Sequence, residues 1–487
     1  IQYVVRLEGQ FSPMFKSLLG ILTGDPGSPH LWNLFMADFL VHLHPADICL
    51  NGVPTNQLAH ANDILTASTR PTGFQCHLNS SQRWSDDNGC ETSIPKCLYQ
   101  IFGPRQKPSE YPVFLLGDNP IARVQKACYL GIWIETGTRS LWGEQYRVKA
   151  KKAQRAANII HGLDRFVGSL TAWDKRTLYM ARVDPYLIAG CEVCLDVTAK
   201  HLKLLEAVQH KFLRRMLGVG SRSMLAVLFS ETGIWPIKYR RVYLALKYLC
   251  YLIGLKTEDG TPQRPAWNAL QHSLTLARNK KVSWVNDLRI VLSKLYTPVA
   301  LDISGDLTVT AVEDATKNVK LSMEAWINHD IETSAKTKDL LVGRLEMEEG
   351  KLVKKALDFR HYLRINSANH RRALTRMVLS SHSLAVERRR WKERGKPEVP
   401  QEWRLCRFCE EEVEDPPHAM FLCNHPELIH LRELFLQKLY TELPDVRGKS
   451  STPWGFFRDL LPRREITPLL AKLAYNVQTI YDGTPML

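Results

Sequence analysis

The sequence lacks any apolar run long enough to cross a membrane. A membrane helix needs roughly 18 to 20 consecutive apolar residues, whereas the best candidate, residues 243–255, is shorter and contains Lys247. The N-terminus also lacks an initiator methionine and a basic segment followed by an apolar one, the pattern of a secretion signal. We therefore expect an intracellular protein with no membrane partner, and we interpret Ile1 as the edge of a fragment.

Internal repeats, low-complexity tracts and a disulfide-like cysteine pattern are also missing. The eleven cysteines are odd in number and scattered, mostly within apolar stretches. This distribution favours a reducing compartment and metal binding over disulfide formation. Cys191 and Cys194 form a Cys-x-x-Cys pair with no second pair nearby, and we interpret them as core thiols on a helix.

Length and charge set broad limits. A chain of 487 residues predicts about three domains, and a hydrophobic fraction of 45% is sufficient for real cores. The formal net charge is +15, from 65 basic and 50 acidic residues. A basic excess suits a polyanionic partner, either a nucleic acid or an anionic membrane surface.

The first motif lies in residues 20–35. Glycines and prolines here predict a stiff loop that runs into an amphipathic helix, with Leu31, Leu34, Phe35 and Phe39 on one face. The loop contains Gly24, after which the sequence reads Asp-Pro-Gly-Ser-Pro. Any surface turn before a helix could have the same composition, so the motif gains weight only from its neighbours.

The second motif is His60-Ala61-Asn62-Asp63, which lies between apolar flanks. A short polar segment in this setting predicts the tip of a tight β-hairpin. Further along, Trp84 and Asn88 precede Lys96 and an Ile-Phe-Gly sequence. A Tyr-Leu-Gly sequence at residues 129–131 then sits within a strand-like run, where a glycine allows another backbone to approach closely.

The order and spacing of these four motifs resemble the palm of LINE-type reverse transcriptases, the polymerases of non-LTR retrotransposons. The resemblance covers residues 1 to about 140 and implies the second half of a right-hand palm. It places Asn62 and Asp63 at the catalytic metal-binding position, and it implies that Lys96 acts as a general acid near the leaving pyrophosphate. The residues to which it assigns nucleotide or nucleic-acid binding are Gly24, Asp25, Ser28, Pro29, Asn33, Tyr129 and Gly131.

Two departures from the family pattern bear on activity. The first motif has Thr23 in place of Gln, and the second has Asn62 where the family's Tyr-Ala-Asp-Asp places a metal-binding Asp. Nucleotidyl transfer uses two Mg²⁺ ions held by clustered carboxylates, and an amide supplies no negative charge. The family's other metal-binding Asp lies upstream of Gly24, and we assign no position of this chain to it. We therefore expect Mg²⁺ binding and polymerisation to be impaired.

From residue 141 onward, long helical patterns dominate. Residues 146–163 are basic on one side, with Lys149, Lys152 and Arg155 among the cations, and apolar on the other. In the family this region is the thumb, which lies along the primer–template duplex. Phosphate contacts of this kind give affinity without sequence choice. The alternative for each single lysine is a solvated helix face.

The clearest chemical pattern in the C-terminal half is Cys406-x2-Cys409-x8-His418-x4-Cys423. Three thiolates and an imidazole can complete a tetrahedral zinc site, and thiolates favour Zn²⁺ over harder ions. The alternatives are three cysteines brought together by chance, or His425 as a substitute ligand. LINE-type reverse transcriptases often end in such a knuckle, so the pattern fits the same family.

We predict an α+β architecture. Its segments are a second palm half (1–140), a helical thumb (141–255), a helical connector (256–400), a CCHC zinc knuckle (401–430) and a helical tail (431–487). The leading hypothesis is a degenerate polymerase fragment that retains binding to RNA, DNA and zinc but not polymerisation. One alternative is an active reverse transcriptase when the upstream half is present, and another is a helical protein-interaction scaffold. The family resemblance implies a nuclear location.

Overall fold

The computed structural model describes residues 2–4, 6–16, 25–103, 111–138, 140–258, 261, 263–390, 397, 399–447 and 452–486. The chain forms two compact units. The first comprises Ile1–Glu144 and Thr257–His272, and the second comprises Gln145–Lys256 and Ser273–Leu487. No helix of the described residues is both long and apolar enough to cross a membrane.

The first unit contains most of the strands. They are β1 (Gln2–Tyr3), β2 (Arg6–Leu7), β3 (Gln10–Phe11), β4 (Phe15–Lys16), β5 (Cys49–Leu50), β6 (Val53–Pro54), β7 (Gln57–His60), β8 (Asp63–Thr66), β9 (Leu98–Tyr99), β10 (Leu115–Leu116), β11 (Asn119–Pro120), β12 (Ala122–Arg123), β13 (Lys126–Tyr129) and β14 (Ile132–Glu135). Each pairs with one other strand, and all pairs are antiparallel except β9 with β12. The described strands therefore form separate two-stranded ladders, and the continuous palm sheet that the family resemblance implies stays a prediction.

Two helices accompany these strands, α1 (Ser28–Phe35) and α2 (Pro71–Asp87), with a 3₁₀ turn at Ile94–Lys96. The buried side of α2 packs on β10, and Phe74 meets Phe114 edge to face at 4.7 Å between ring centroids. The core of this unit is built from Leu78, Tyr99, Phe114, Leu116 and Ile121. Aromatic rings in such edge-to-face pairs add to the stabilisation from burial.

The apolar face expected on α1 is present but only partly covered. No residue of α1 is buried, and Leu31 and Leu34 are 55% and 75% exposed. Phe35 and Phe39 make the better contacts, because both pack edge to face on Trp84 of α2. The Trp84 indole N–H also donates to Asp38 at 3.1 Å, so this tryptophan connects α2 to the segment that follows α1.

The second unit is mostly helical. Its helices are α4 (Asp164–Val167), α5 (Ala172–Leu178), α6 (Asp184–Ile188), α7 (Ala199–Leu217), α8 (Leu225–Thr232), α9 (Ile237–Ile253), α11 (Trp284–Ser293), α12 (Val309–Thr333), α13 (Lys338–Leu341), α14 (Ala368–Val378), α15 (Ala385–Arg388), α16 (Pro426–Glu442), α17 (Pro453–Leu460) and α18 (Thr467–Gly483). Helices α3 (Gly143–Gly162) and α10 (Pro265–Arg278) cross the boundary between the units. A hairpin of β15 (Leu345–Glu348) and β16 (Lys351–Lys354) lies between α13 and α14.

Local signals explain several helix ends. Thr171 and Asp174 form a reciprocal capping box at the start of α5, which satisfies two free backbone N–H groups. Helix α7 ends at Gly218 with φ 70°, a left-handed conformation that glycine adopts without steric cost. Helix α9 packs along α12 and α14 packs along α18, so both pairs join helices that are far apart in sequence.

Buried ion pairs fix the packing of this core. Arg241 of α9 donates through Nε to both carboxylate oxygens of Asp196 at 3.0 Å, and it also donates to the carbonyl oxygens of Leu187 and Cys194. Cys191 and Cys194 are almost wholly buried, and burial raises the pKa of each thiol to about 12. These thiols lie in the turn that follows α6 rather than on a helix, so that part of the sequence interpretation was wrong.

Candidate functional site

The hairpin that carries Asn62 and Asp63 is formed by β7 and β8. His60 pairs with Asp63, which leaves Ala61 and Asn62 as the two-residue turn. Ala61 adopts φ 52°, the left-handed region that hairpin turns require. Both Asn62 and Asp63 are exposed, so their side chains are available to a ligand from solvent.

A second two-residue hairpin lies beside the first. Strands β13 and β14 pair Tyr129 with Ile132, and the turn residues Leu130 and Gly131 have φ values of 47° and 80°. The Tyr129 hydroxyl donates to the carbonyl oxygen of Leu58 in β7 at 3.5 Å, a long hydrogen bond. Burial, followed by the charge of Asp63, raises the pKa of Tyr129. The fold therefore brings Tyr129 into the electrostatic neighbourhood of Asp63.

The first motif keeps a compact loop conformation. The Asp25 carboxylate accepts a hydrogen bond from the backbone N–H of Gly27 at 2.7 Å, and its carbonyl accepts from Ser28 at 3.1 Å. Pro29 occupies the first turn of α1, and Asn33 is exposed on that helix. Gly24 lies outside the described residues.

Lys96 is exposed at the end of the 3₁₀ turn that follows α2. Asn88, from the same sequence element, donates its side-chain amide to the carbonyl of Trp84 and so ends α2. The structure gives Lys96 no contact with Asp63 among the described residues, and its general-acid role stays a prediction.

A polar network beneath the first hairpin has no counterpart in the sequence motifs. His77 of α2 is fully buried, with Nε2 2.7 Å from an oxygen of Asp47 and Nδ1 3.0 Å from the hydroxyl of Thr66. Thr66 ends β8, so His77 joins the strand that begins at Asp63 to α2. The sequence around His77 does not indicate this network, because Asp47 and Thr66 are distant from it along the chain.

Helix α3 presents the expected cations on its outer face. Lys152 and Arg155 are exposed and Lys149 is half-buried, whereas Ala153 and Ala157 are buried on the opposite side. This arrangement leaves positive charge directed to solvent along the helix. It matches what a phosphate-contacting surface needs.

The cysteine and histidine residues of the C-terminal pattern meet at one point. The ligand atoms of Cys406, Cys409, His418 and Cys423 all lie within 4.8 Å of one another. The sulfurs of Cys406 and Cys423 are 3.7 Å apart, and the Cys409 sulfur is 3.5 Å from Nε2 of His418. Zinc–ligand bonds in a tetrahedron imply about 3.8 Å between sulfurs and about 3.5 Å from sulfur to nitrogen. The donor set and its spacing therefore fit Zn²⁺.

Backbone geometry shapes the first half of this cluster. Cys406 donates its N–H to the carbonyl of Glu412 at 2.8 Å, and Glu410 donates to the carbonyl of Cys406 at 2.9 Å. Glu410 has φ 58°, which reverses the chain between these bonds. Both cysteine sulfurs of the Cys-x-x-Cys sequence consequently point to the same centre.

The second half depends on a wide helical turn. Cys423 donates its N–H to the carbonyl of His418 at 2.9 Å, so residues His418–Leu422 form a π-turn that spans five residues. The spacing of His-x4-Cys matches that turn. His425 is not a member of the group, and its ring packs on Phe408 at 4.3 Å.

The environment favours ionisation of the central thiol. The hydrogen bond with Cys423 outweighs burial and, with those of His418 and Tyr481, lowers the pKa of Cys406 below that of an ordinary thiol. The Tyr481 hydroxyl, from α18, lies 3.3 Å from the Cys406 sulfur. Because metals bind thiolates rather than thiols, this arrangement prepares Cys406 as a ligand.

Comparison with known proteins identifies a distant relative. No protein-family model matches the chain. A stretch of 221 residues, which is 44% of this chain, is 24% identical to the RNA-directed DNA polymerase from mobile element jockey of Drosophila melanogaster. The match spans only 23% of the length of that polymerase. The similarity supports a relation to the reverse transcriptases of non-LTR retrotransposons and a retroelement-related function.

Proposed function

We propose that this chain is a degenerate part of a retrotransposon RNA-directed DNA polymerase. It binds the primer–template duplex of RNA and DNA, and it binds one structural zinc ion, but it does not polymerise. The observation that carries the proposal is the exposed hairpin of β7 and β8. It presents Asp63 beside Tyr129, as a polymerase palm would, but carries the neutral Asn62 at the metal-binding turn.

In this proposal the palm extends over residues 1–140 and the thumb over residues 141–255. Residues 256–400 form the connector, residues 401–430 the zinc knuckle and residues 431–487 the tail. Asp63 alone supplies one carboxylate where the two Mg²⁺ ions of the ancestral reaction need several. An amide at Asn62 can supply an oxygen but no charge, so affinity for Mg²⁺ and the stabilisation of developing phosphate charge both fall.

Nucleic-acid affinity depends on other groups. The exposed side of α3, with Lys152 and Arg155, contacts backbone phosphates, and Gly131 allows the primer strand to approach Tyr129 closely. Asp25, Ser28, Pro29 and Asn33 line the nucleotide side of the palm. These contacts do not involve a metal, so the loss of polymerisation leaves them intact.

Zinc has a structural role in the proposal. Cys406, Cys409, His418 and Cys423 hold it, and all four positions of a tetrahedral site are then filled by protein atoms. A site with no open position cannot bind water or substrate, so it stabilises the fold and performs no chemistry.

The test is duplex binding by fluorescence anisotropy, with a labelled RNA–DNA hybrid and zinc-loaded protein over a salt series. We expect log affinity to fall steeply with log salt concentration, because bound phosphates release counterions. The double variant Lys152→Gln/Arg155→Gln should bind more weakly, with a slope smaller by about two. The charge-matched control Lys320→Gln/Lys472→Gln changes exposed cations of α12 and α18 and should bind as the parent chain does. Absence of binding at low salt would refute the proposal and favour a protein-interaction scaffold.

A second candidate is an active reverse transcriptase that uses a longer chain and tolerates Asn62. The intact hairpin geometry around Asp63 favours it.

In either form, the protein would act on the RNA of a retrotransposon and on chromosomal DNA, so we expect it in the nucleus. Imaging of a tagged chain tests this location, and exclusion from nuclei would contradict it.

A further inference from the structure

A small cavity in the second unit is lined by four cations from three separate segments. Its volume is about 40 Å³. Lys175 comes from α5, Arg215 from the last turn of α7, and Arg371 and Arg372 from the first two turns of α14. Among the described residues, no acidic side chain lines the cavity, which we call the cationic pocket.

Only part of this positive charge is neutralised by the protein. Lys175 donates to Asp164 at 2.7 Å. Arg371 donates to the carbonyl oxygens of Ile365 at 2.5 Å and Asn366 at 3.5 Å, which fix the guanidinium without cancelling its charge. Within the part of the chain that the structure describes, Arg215 and Arg372 form no ion pair.

The end of α7 makes room for this arrangement. Gly218 has φ 70°, and a β-carbon there would lie 3.0 Å from Cγ of Arg372 and 3.1 Å from its Nε. Any other residue at this position would displace the Arg372 side chain slightly and would strain the left-handed backbone. The nearby Arg376 donates to the Gly218 carbonyl at 3.0 Å and holds the turn in place.

Neighbouring groups respond to the local potential. Burial, followed by the charges of Arg215 and Lys175, lowers the pKa of His161 to about 4. Burial and the charge of Arg372 lower the pKa of Arg371, and Asp174 opposes this only in part. Arg215 and Arg372, both exposed, therefore add to the positive potential at the pocket, which a bound anion would reduce.

We propose that the cationic pocket binds one phosphate group, supplied by the nucleic-acid strand that the protein binds. Its volume holds roughly three waters, which a single tetrahedral oxyanion replaces. Guanidinium groups match phosphate oxygens because they donate in parallel pairs. The identity of the strand depends on the proposed function, but the phosphate site itself does not. The pocket is distinct from the cationic face of α3, since none of its lining residues belongs to that helix.

The first experiment follows thermal unfolding of the zinc-loaded full chain with inorganic phosphate, against chloride at equal ionic strength. We expect Tm to rise and saturate with phosphate in the parent chain and in the control Lys320→Gln/Lys472→Gln. In Arg215→Gln/Arg372→Gln the apparent Kd for phosphate should rise at least about tenfold. An equal rise in Tm for both double variants would overturn the site.

The second experiment distinguishes the source of the phosphate. A labelled RNA–DNA hybrid in which one strand carries a 5′-phosphate is compared with the same hybrid in which that strand ends in a 5′-hydroxyl. Tighter binding of the phosphorylated hybrid, lost in Arg215→Gln/Arg372→Gln, assigns a terminal phosphate. An equal loss for both hybrids, with a salt slope smaller by about one, assigns an internal phosphodiester. If phosphate raises Tm but no hybrid binds, the proposed function fails and the site stands. If the hybrids bind equally to parent and variant, the assignment of a strand phosphate is refuted.

Discussion

Arg407 holds Glu414 by two parallel contacts next to the cysteine cluster. Its Nη2 lies 2.6 Å from Oε1 and its Nε 3.0 Å from Oε2, with both side chains buried. The Arg407 guanidinium also donates to the carbonyl oxygens of Tyr481 and Thr484 at 2.7 Å. Glu414 accepts in turn from the backbone N–H of Ala385. One ion pair thus connects the knuckle to both α18 and the start of α15.

Replacement of Glu414 by Gln should destabilise the second unit without removing a zinc ligand. Breaking a buried pair leaves Arg407 unpaired and costs about 3 to 5 kcal/mol. Urea unfolding of zinc-loaded protein measures this loss. Glu427→Gln, at an exposed position of α16, serves as the control and should change stability little. Equal stability of the two variants would show that the pair does not anchor the knuckle.

The cysteine cluster should bind one zinc ion per chain. Elemental analysis after exhaustive dialysis should give a ratio near one for the parent chain and near zero for Cys406→Ser/Cys409→Ser. Cys250→Ser changes a half-buried cysteine outside the cluster, so it should keep the metal. Zinc retained by the double variant would contradict the proposed ligand set.

The chain should not extend a primed RNA template with Mg²⁺ or Mn²⁺. The reason is electrostatic, since Asn62 supplies no charge to a metal ion. Gel-based primer extension measures the activity against a control without protein. Asn62→Asp, made in a longer chain that includes an upstream palm half, should extend better than the same chain with Asn62. Equal extension by both would show that the amide is tolerated.

Stability should fall as the pH decreases from about 6.5 towards 4. Burial, followed by the charges of Arg390 and Lys336, lowers the pKa of His382 to about 3 from its ordinary value of 6.5. The folded state therefore favours the neutral imidazole. Its contribution is fully present above the unfolded-state pKa and is lost as the pH falls towards the folded-state pKa.

Urea unfolding at several pH values tests this expectation. His382→Asn should lower stability at pH 7 and reduce the pH dependence, because one of the titrating groups is gone. His430→Asn removes an exposed imidazole of α16 and should leave the curve unchanged. Since both variants keep the zinc ligands, acid release of metal affects them equally. A parallel curve for His382→Asn would exclude this histidine as the cause.

Local patterns predicted much of the secondary structure. The helical pattern of residues 146–163 corresponds to α3, which spans Gly143–Gly162. Apolar residues at helical spacing identify such elements because each helix must bury one face. The short turn at Ala61 and Asn62 indicated the hairpin because it lies between two apolar strand-like segments. The exposure of α1 could not be predicted from the pattern, because an apolar helix face does not specify which part of the protein packs against it.

The sequence by itself determined the type and spacing of the four Cys and His residues of the cluster, the neutral Asn62 and the basic face of α3. Each of these features depends only on residues that are close together along the chain. Only the tertiary structure placed Tyr481 against Cys406, His77 between Asp47 and Thr66, and Arg215 beside Arg372. Those contacts join segments far apart along the chain. Their strength depends on burial and on which charges packing brings together, and neither is encoded in a local pattern.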